Sequence, residues 1–268
     1  MKEELKFAFA GDIMLGRRVI VNDRLFEDVK EIFTEADIAF ANLESPFCDD
    51  GNFIDDKKYV FSAKKKYCSL LKSAGFDVVS LANNHIIDCI EKGVTSTTEI
   101  LDKIGILFTG LERKPLIIEK KGIKIGFLAY CKKIRHFKKV KNSPNVIDEN
   151  ILEDIVSAKK DVDILIVSLH WGREYKTEPD AGQEKLAKKL VDAGADIVVG
   201  HHAHKVQKTE RYGNGIIAYN LGNFVFDQMF NKDVRKGAIL KVTADEKGVN
   251  DFSVISSYID DGFKVVLD

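Results

Sequence analysis

Five of the six histidines in this 268-residue chain sit in short polar motifs, and each motif ends an apolar run. Residues 7–10 run into Gly11-Asp12, and residues 38–41 into Asn42-Leu43-Glu44. Residues 78–82 run into Asn83-Asn84-His85, residues 164–169 into His170-Trp171-Gly172, and residues 197–200 into His201-His202-Ala203-His204. Carboxylates, imidazoles and an amide oxygen form a hard-to-borderline ligand set that suits one or two divalent ions such as Mn, Fe or Zn. Sheet proteins gather such residues where loops leave the carboxyl ends of strands. Histidines scattered over helices and surfaces would not follow buried runs in this way.

Each motif offers a distinct role. Asp12 can hold a metal, and Arg17, five residues on, can present its planar fork to an anionic group. Glu44 can bridge two ions through its two oxygens, which an imidazole cannot. Asn84 supplies a neutral oxygen, so its neighbour His85 is left to face substrate and protonate a leaving oxygen. Asp88 either orients His85 or caps the following helix. His170 and the His202/His204 pair complete the set, the H-x-H spacing placing both imidazoles on one side of a strand end. Arg173 and Glu174, beside His170, can bind substrate or each other, while Trp171 packs.

The elements that must position these residues alternate along the chain. Strands are expected over 5–10, 38–41 and 76–82, with helices over 25–36, 63–74 and 92–104 between and after them. Strands follow at 106–108, 116–119 and 123–131, the last two joined by a Lys121-Gly122 hairpin turn. A helix at 149–160, a strand at 164–169, a helix at 179–193 and a strand at 197–199 continue the alternation. Strands at 215–219, 238–243, 252–258 and 263–267 then follow without long helices. The pattern predicts an α/β layered sandwich with two sheets inside and helices outside, rather than one open sheet.

Apolar residues make up 45% and charged residues 31%, and the net charge is −1. That composition gives a globular core and no broad basic footprint, so no nucleic-acid partner is expected. Cys48, Cys68, Cys89 and Cys131 form no C-x-x-C pair and read as four reduced thiols. The first strand begins without a preceding apolar leader, and no run of 18 apolar residues occurs, so the expected location is cytoplasmic without a membrane span. One segment is locally basic: six lysines and arginines fall between Lys132 and Lys141 with no acidic residue among them. Such a run is a solvated loop or a grip for a polyanion.

Together the stretches GDIMLGR (11–17), NLESP (42–46), NNHIID (83–88), HWGREY (170–175), GADIVVGHHAHKVQ (194–207) and NLGNFVFD (220–227) resemble the CapA family. These are the poly-gamma-glutamate capsule synthesis proteins of the calcineurin-like metallophosphatase superfamily. The resemblance runs from about Leu5 to Phe252 and implies one domain over 1–268 with a four-layer α/β/β/α sandwich. It implies two metal positions bridged by Glu44, with Asp12 and His204 serving the first and Asn84, His170 and His202 the second. His85 would be the catalytic acid. Three departures stand out. Met14 occupies the place where the wider superfamily has a histidine, and a thioether is a poor ligand for a hard ion. Cys89-Ile90 replaces an aromatic residue and glycine, and Asn220 replaces a serine.

The function expected from these readings is metal-dependent hydrolysis, with an ion-activated water attacking phosphorus or a carbonyl and His85 protonating the leaving group. The substrate would be anionic, either poly-gamma-glutamate or a phosphoester. Two other readings are a non-catalytic, metal-containing polyglutamate-binding module and a nucleotide or nucleic-acid phosphodiesterase. Oligomeric state is open.

Overall fold

The apolar runs become strands and the stretches between them become short helices in the computed structural model, which describes residues 3–49 and 52–268. The first part contains β1 (Leu5–Ile13), α1 (Lys30–Thr34), β2 (Ile38–Leu43), α2 (Cys68–Ser73), β3 (Val78–Ser80), α3 (Ile90–Ile104) and β4 (Leu107–Thr109). The middle contains β5 (Leu116–Lys120), β6 (Ile123–Cys131), α4 (Ile151–Lys159), β7 (Ile164–His170), α5 (Ala181–Asp192) and β8 (Ile197–His201). The chain continues with β9 (Thr209–Tyr212), β10 (Gly215–Ala218), β11 (Asn223–Val225), β12 (Lys236–Asp245), β13 (Gly248–Ile259) and β14 (Val265–Leu267).

Two sheets result. One has the order β14-β13-β12-β1-β2-β3-β4, with β11 on β1; the other has the order β5-β6-β7-β8-β10-β9. Strands β1 to β4 pair in parallel, as do β6, β7 and β8, so the polar motifs leave neighbouring strand ends. Successive side chains of a strand point to opposite faces. In β1, Phe7 and Phe9 therefore face the other sheet, where Phe40 stacks on Phe127 with ring centres 5.9 Å apart. Ala8 and Ala10 face outward and meet Phe33, Leu71 and Leu101 of the first three helices. On the far side, Leu165, Val167 and Val198 pack against Ile155, Ala187 and Leu190 of α4 and α5. Three cores between four layers make the α/β/β/α sandwich that the alternation predicted.

Several local expectations are corrected. The helix expected over 25–36 shrinks to Lys30–Thr34. Before it, the Asn22 side chain takes the Arg24 N–H, and Leu25, Glu27 and Val29 each bond three residues back, in turns. The helix expected over 63–74 begins later because Ala63 is held in extended backbone by Pro46 and Cys48. Strands β9 and β11 were not anticipated, the one half-exposed and polar, the other three residues long. The Lys121-Gly122 turn is as expected, both residues taking positive φ (52° and 73°), as a tight hairpin requires.

The four cysteines are not all thiols. Cys48 and Cys89 form a disulfide with Cα atoms 6.7 Å apart, while Cys68 and Cys131 are free and buried. The pair is 41 residues apart in sequence, but β2 and β3 are neighbours, and the loops leaving them run side by side. Next to Cys89, Ile90 takes φ 47°, the left-handed backbone that glycine adopts at least cost. The turn therefore keeps a glycine-like conformation although a β-branched residue occupies it. Among the described residues, no helix is long and apolar enough to cross a membrane.

Candidate metal centre

Asp12, near the end of β1, is fully buried. Its Oδ1 accepts from Asn42 Nδ2 (2.8 Å), and its Oδ2 accepts from the His202 N–H (3.1 Å). His201 Nδ1 and His204 Nδ1 lie 3.3 and 3.4 Å from its two oxygens. Burial raises the pKa of this carboxyl, but the close His201 and His204 imidazoles outweigh it and hold Asp12 well below its usual range.

Glu44 follows β2, its N–H fixed to the Ile13 carbonyl at 2.8 Å. Its side chain is wholly buried, and neither carboxylate oxygen has a hydrogen-bond partner. His170 Nε2 and His204 Nε2 approach Glu44 Oε1 at 3.8 and 3.9 Å. Burial, with Asp12 and Glu174 nearby, pushes Glu44 well above the carboxylate range. A buried carboxylate without donors is costly unless something supplies positive charge.

Two sets of ligand atoms surround it, each mutually within 4.8 Å: Asp12, Glu44 and His204, and Glu44, His170 and His202. Glu44 is common to both. Burial pushes His170 well below its usual pKa and His202 to about 4, so both imidazoles are neutral and carry a lone pair. A divalent ion, or two, fits this donor set and would provide the partner that Glu44 lacks. Asn84 Oδ1 joins through His170 Nε2 at 2.8 Å. Asn42 Nδ2 lies 3.3 Å from His170 Nδ1, which makes that nitrogen the acceptor and leaves the proton on Nε2.

The histidine loop reaches the site differently from the expected strand alternation. Strand β8 ends at His201, which lies buried beside Phe40 between the sheets. His202 and His204 then take positive φ, 90° and 54°, so a sharp turn brings their rings to 6.1 Å. Asn223 Oδ1, in β11, contacts His204 Nδ1 at 2.9 Å and turns Nε2 towards Glu44. Met14 is buried, and its sulfur accepts the Gly16 N–H at 3.2 Å.

A second polar cluster adjoins the first. Asn83 Oδ1 accepts the backbone N–H groups of His85 and Ile86, and so fixes the turn after β3. His85 Nδ1 is 2.6 Å from Asp88 Oδ2. The other oxygen of Asp88 pairs with Lys57 Nζ, which also donates to the Asn84 carbonyl at 2.6 Å. The Phe61 N–H donates to Asp88 at 2.7 Å, and the Phe61 ring stacks on His85 with centres 3.6 Å apart. Helix α3 has no side-chain cap, so Asp88 orients His85 and does not cap the helix. Burial pushes Asp88 up to about 7 against Lys57 and the Phe61 N–H, while burial and Lys57 push His85 well below its usual value.

Sequence reasoning missed Lys57 and Phe61; a lysine and an aromatic residue in a polar connecting segment give no signal until the loop folds back. Arg17 sits over the same segment, its guanidinium 5.1 Å from the Phe61 ring and its Nε 3.2 Å from Asp227. Glu174 comes within 4.8 Å of ligand atoms of His202 and His204. Arg173 instead lines a neighbouring cavity of about 500 Å³ with Lys132, Lys133 and Gln183. The basic run folds partly as a turn at Arg135–Lys139. There, Arg135 and Lys139 donate to the carbonyls of Asp56 and Asp55 at 3.1 and 3.3 Å, so part of the run is tied to the segment that carries Lys57.

Comparison with known proteins agrees with this architecture. A hypothetical protein from Thermus thermophilus superposes with a TM-score of 0.62 at 16% identity, covering 94% of this chain and 98% of that one. That likeness is one of fold. By sequence, the PGA biosynthesis protein CapA of Bacillus subtilis (strain 168) is 35% identical, over 93% of this chain and 70% of that protein. The capsule biosynthesis protein CapA of Bacillus anthracis is 34% identical, over 97% of this chain and 69% of that protein. The family described as bacterial capsule synthesis protein PGA_cap matches residues 6–228, so the chain belongs to that family.

Proposed function

We propose that the protein is a divalent-metal-dependent hydrolase serving the assembly of a poly-gamma-glutamate capsule, with poly-gamma-glutamate or a phosphoester as its anionic substrate. The observation that carries the reading is Glu44: a buried carboxylate with no partner, ringed by Asp12, His170, His202 and His204. The names of the Bacillus relatives support the pathway.

Asp12 and His204 would hold one ion and Asn84, His170 and His202 the other, with Glu44 between. To offer Nε2 to an ion, His170 would carry its single proton on Nδ1 instead, and the contact with Asn84 Oδ1 is the one that binding would replace. When bound, the ions supply a Lewis acid and an acidified water. Asp88 keeps a proton to about pH 7, so His85 could give its Nε2 proton to the leaving oxygen while taking up that of Asp88 at Nδ1. Arg17 meets an anionic group at the rim.

The test is elemental analysis of protein purified without chelator, followed by turnover of a simple phosphodiester and of poly-gamma-glutamate. His85→Ala should keep its metal and lose turnover by about 10²–10⁴-fold. Loss of metal in that variant would reassign His85 as a ligand. The Met14 substitution favours a second reading, a non-catalytic module that grips polyglutamate around one ion. One bound ion, no turnover and polyanion binding would select it.

A further inference from the structure

The first ion position is short of a donor. Asp12, Glu44 and His204 surround it, and the residue two places after Asp12 is Met14, whose sulfur is engaged by the Gly16 N–H. A thioether adds little to a hard divalent ion in any case. Another carboxylate comes from the loop after β7. The loop after β7 bends back through Gly172 (φ 81°) and Tyr175 (φ 65°). The Tyr175 N–H is bonded to the Ala203 carbonyl at 2.7 Å, which fastens this loop against the histidine turn. Glu174 lies between those anchors, and its carboxylate, with His202 and His204, forms a third set of ligand atoms mutually within 4.8 Å.

We infer that Glu174 is a metal ligand, supplying from the rim of the cleft a carboxylate beside His204, which the first position also uses. The inference rests on the reading of this site as a metal centre, and it moves Glu174 from the substrate-binding role that its sequence position suggested. It also bears on which metal is held. An added carboxylate hardens the site, so Mn²⁺ should gain relative to Zn²⁺. Glu174 is exposed where Asp12 and Glu44 are buried. Its substitution should therefore change metal binding without disturbing the fold.

The experiment is a titration of chelator-stripped protein with Mn²⁺ and with Zn²⁺. It would be followed by calorimetry and by the electron paramagnetic resonance of free Mn²⁺, for wild type, Glu174→Gln, Glu174→Asp and, as a neighbouring control, Arg173→Gln. Glu174→Gln should weaken one Mn²⁺ by about 10–100-fold or more, the scale set by losing a partner at a metal site. Zn²⁺ should weaken less, Glu174→Asp should recover part of the loss, and Arg173→Gln should match wild type. Circular dichroism confirms that the variants are folded. Wild-type Mn²⁺ affinity and stoichiometry in Glu174→Gln would overturn the inference and leave the metal centre standing. If wild type binds neither Mn²⁺, Zn²⁺ nor Fe²⁺, the metal-centre reading itself falls.

Discussion

Two buried polar clusters share one cleft and are completed in opposite ways. Around Asp88, every carboxylate oxygen meets a donor from the protein: Lys57 on one side, the Phe61 N–H and His85 on the other. Around Glu44, no donor meets either oxygen, although the residue is fully buried. The first cluster is finished by the chain itself, as a device that holds a ring in place would be. The second is left open by the chain, as a cradle for an outside partner would be. The hydrogen-bond inventory thus sets the two clusters apart even though both are made of the same residue types.

The largest effect should come from the cradle. Glu44→Gln should abolish tight binding of both ions, because it is the one group common to both positions. In stripped protein it should instead stabilise the fold by about 1–3 kcal/mol, since a neutral amide replaces a buried carboxyl that must either hold an unpaired charge or take up a proton. Elemental analysis and thermal melting with and without Mn²⁺ check both parts; a stripped variant that melts below wild type would break the contrast.

Lys57→Met should do the reverse. It leaves metal binding in place but strands Asp88, at a cost of about 3 kcal/mol. The Lys57 side chain is 10% exposed, so little solvent is at hand to compensate. Urea unfolding beside a Mn²⁺ titration gives the two numbers, and unchanged stability would mean that the cluster is not held by its ion pair.

The smallest effect is a slope. Asp88 keeps its proton to about pH 7 in the folded protein and loses it near 3.8 when unfolded. Its folded pKa is raised, so its contribution is fully present below about pH 4 and is lost as pH rises towards 7. The rate of loss is at most about 1.4 kcal/mol per pH unit. Asp88→Asn should flatten that part of the stability profile in urea melts from pH 4 to 7. Parallel profiles for wild type and variant would show that Asp88 is ionised throughout.

What the sequence disclosed and what it hid follow the same division. The motifs after apolar runs are visible because strand burial is periodic and the residue types that can bind metals are chemically distinctive, so Asp12, Glu44, Asn84, His170, His202 and His204 could be named as candidates, and their side chains do come together. Glu174 was legible as a polar neighbour of His170, but its reach to His202 and His204 depends on two positive-φ residues that no pattern announces. The same holds for the histidine turn, where left-handed backbone at His202 and His204 does what strand alternation was expected to do. Lys57, Phe61 and the Cys48–Cys89 pair come together through loops whose course tertiary packing decides. The shortened α1 is a case of local turn chemistry at Asn22 overriding a helical pattern.

The two clusters also differ in how far along the chain their members must travel to meet. Lys57 and Asp88 are 31 residues apart, and His85 and Asp88 only three, all within the stretch that the Cys48–Cys89 bond closes into a ring. The cradle joins Asp12 to the His202 backbone across 190 residues and Asn84 to His170 across 86. Short closures form readily, while long ones wait for the intervening chain to be ordered. The grip on His85 can therefore assemble within one half of the sandwich, but a metal position exists only once both sheets have docked. An ion bound between Asp12 and the histidine turn would bind the finished fold alone, and so would act as its last fastening.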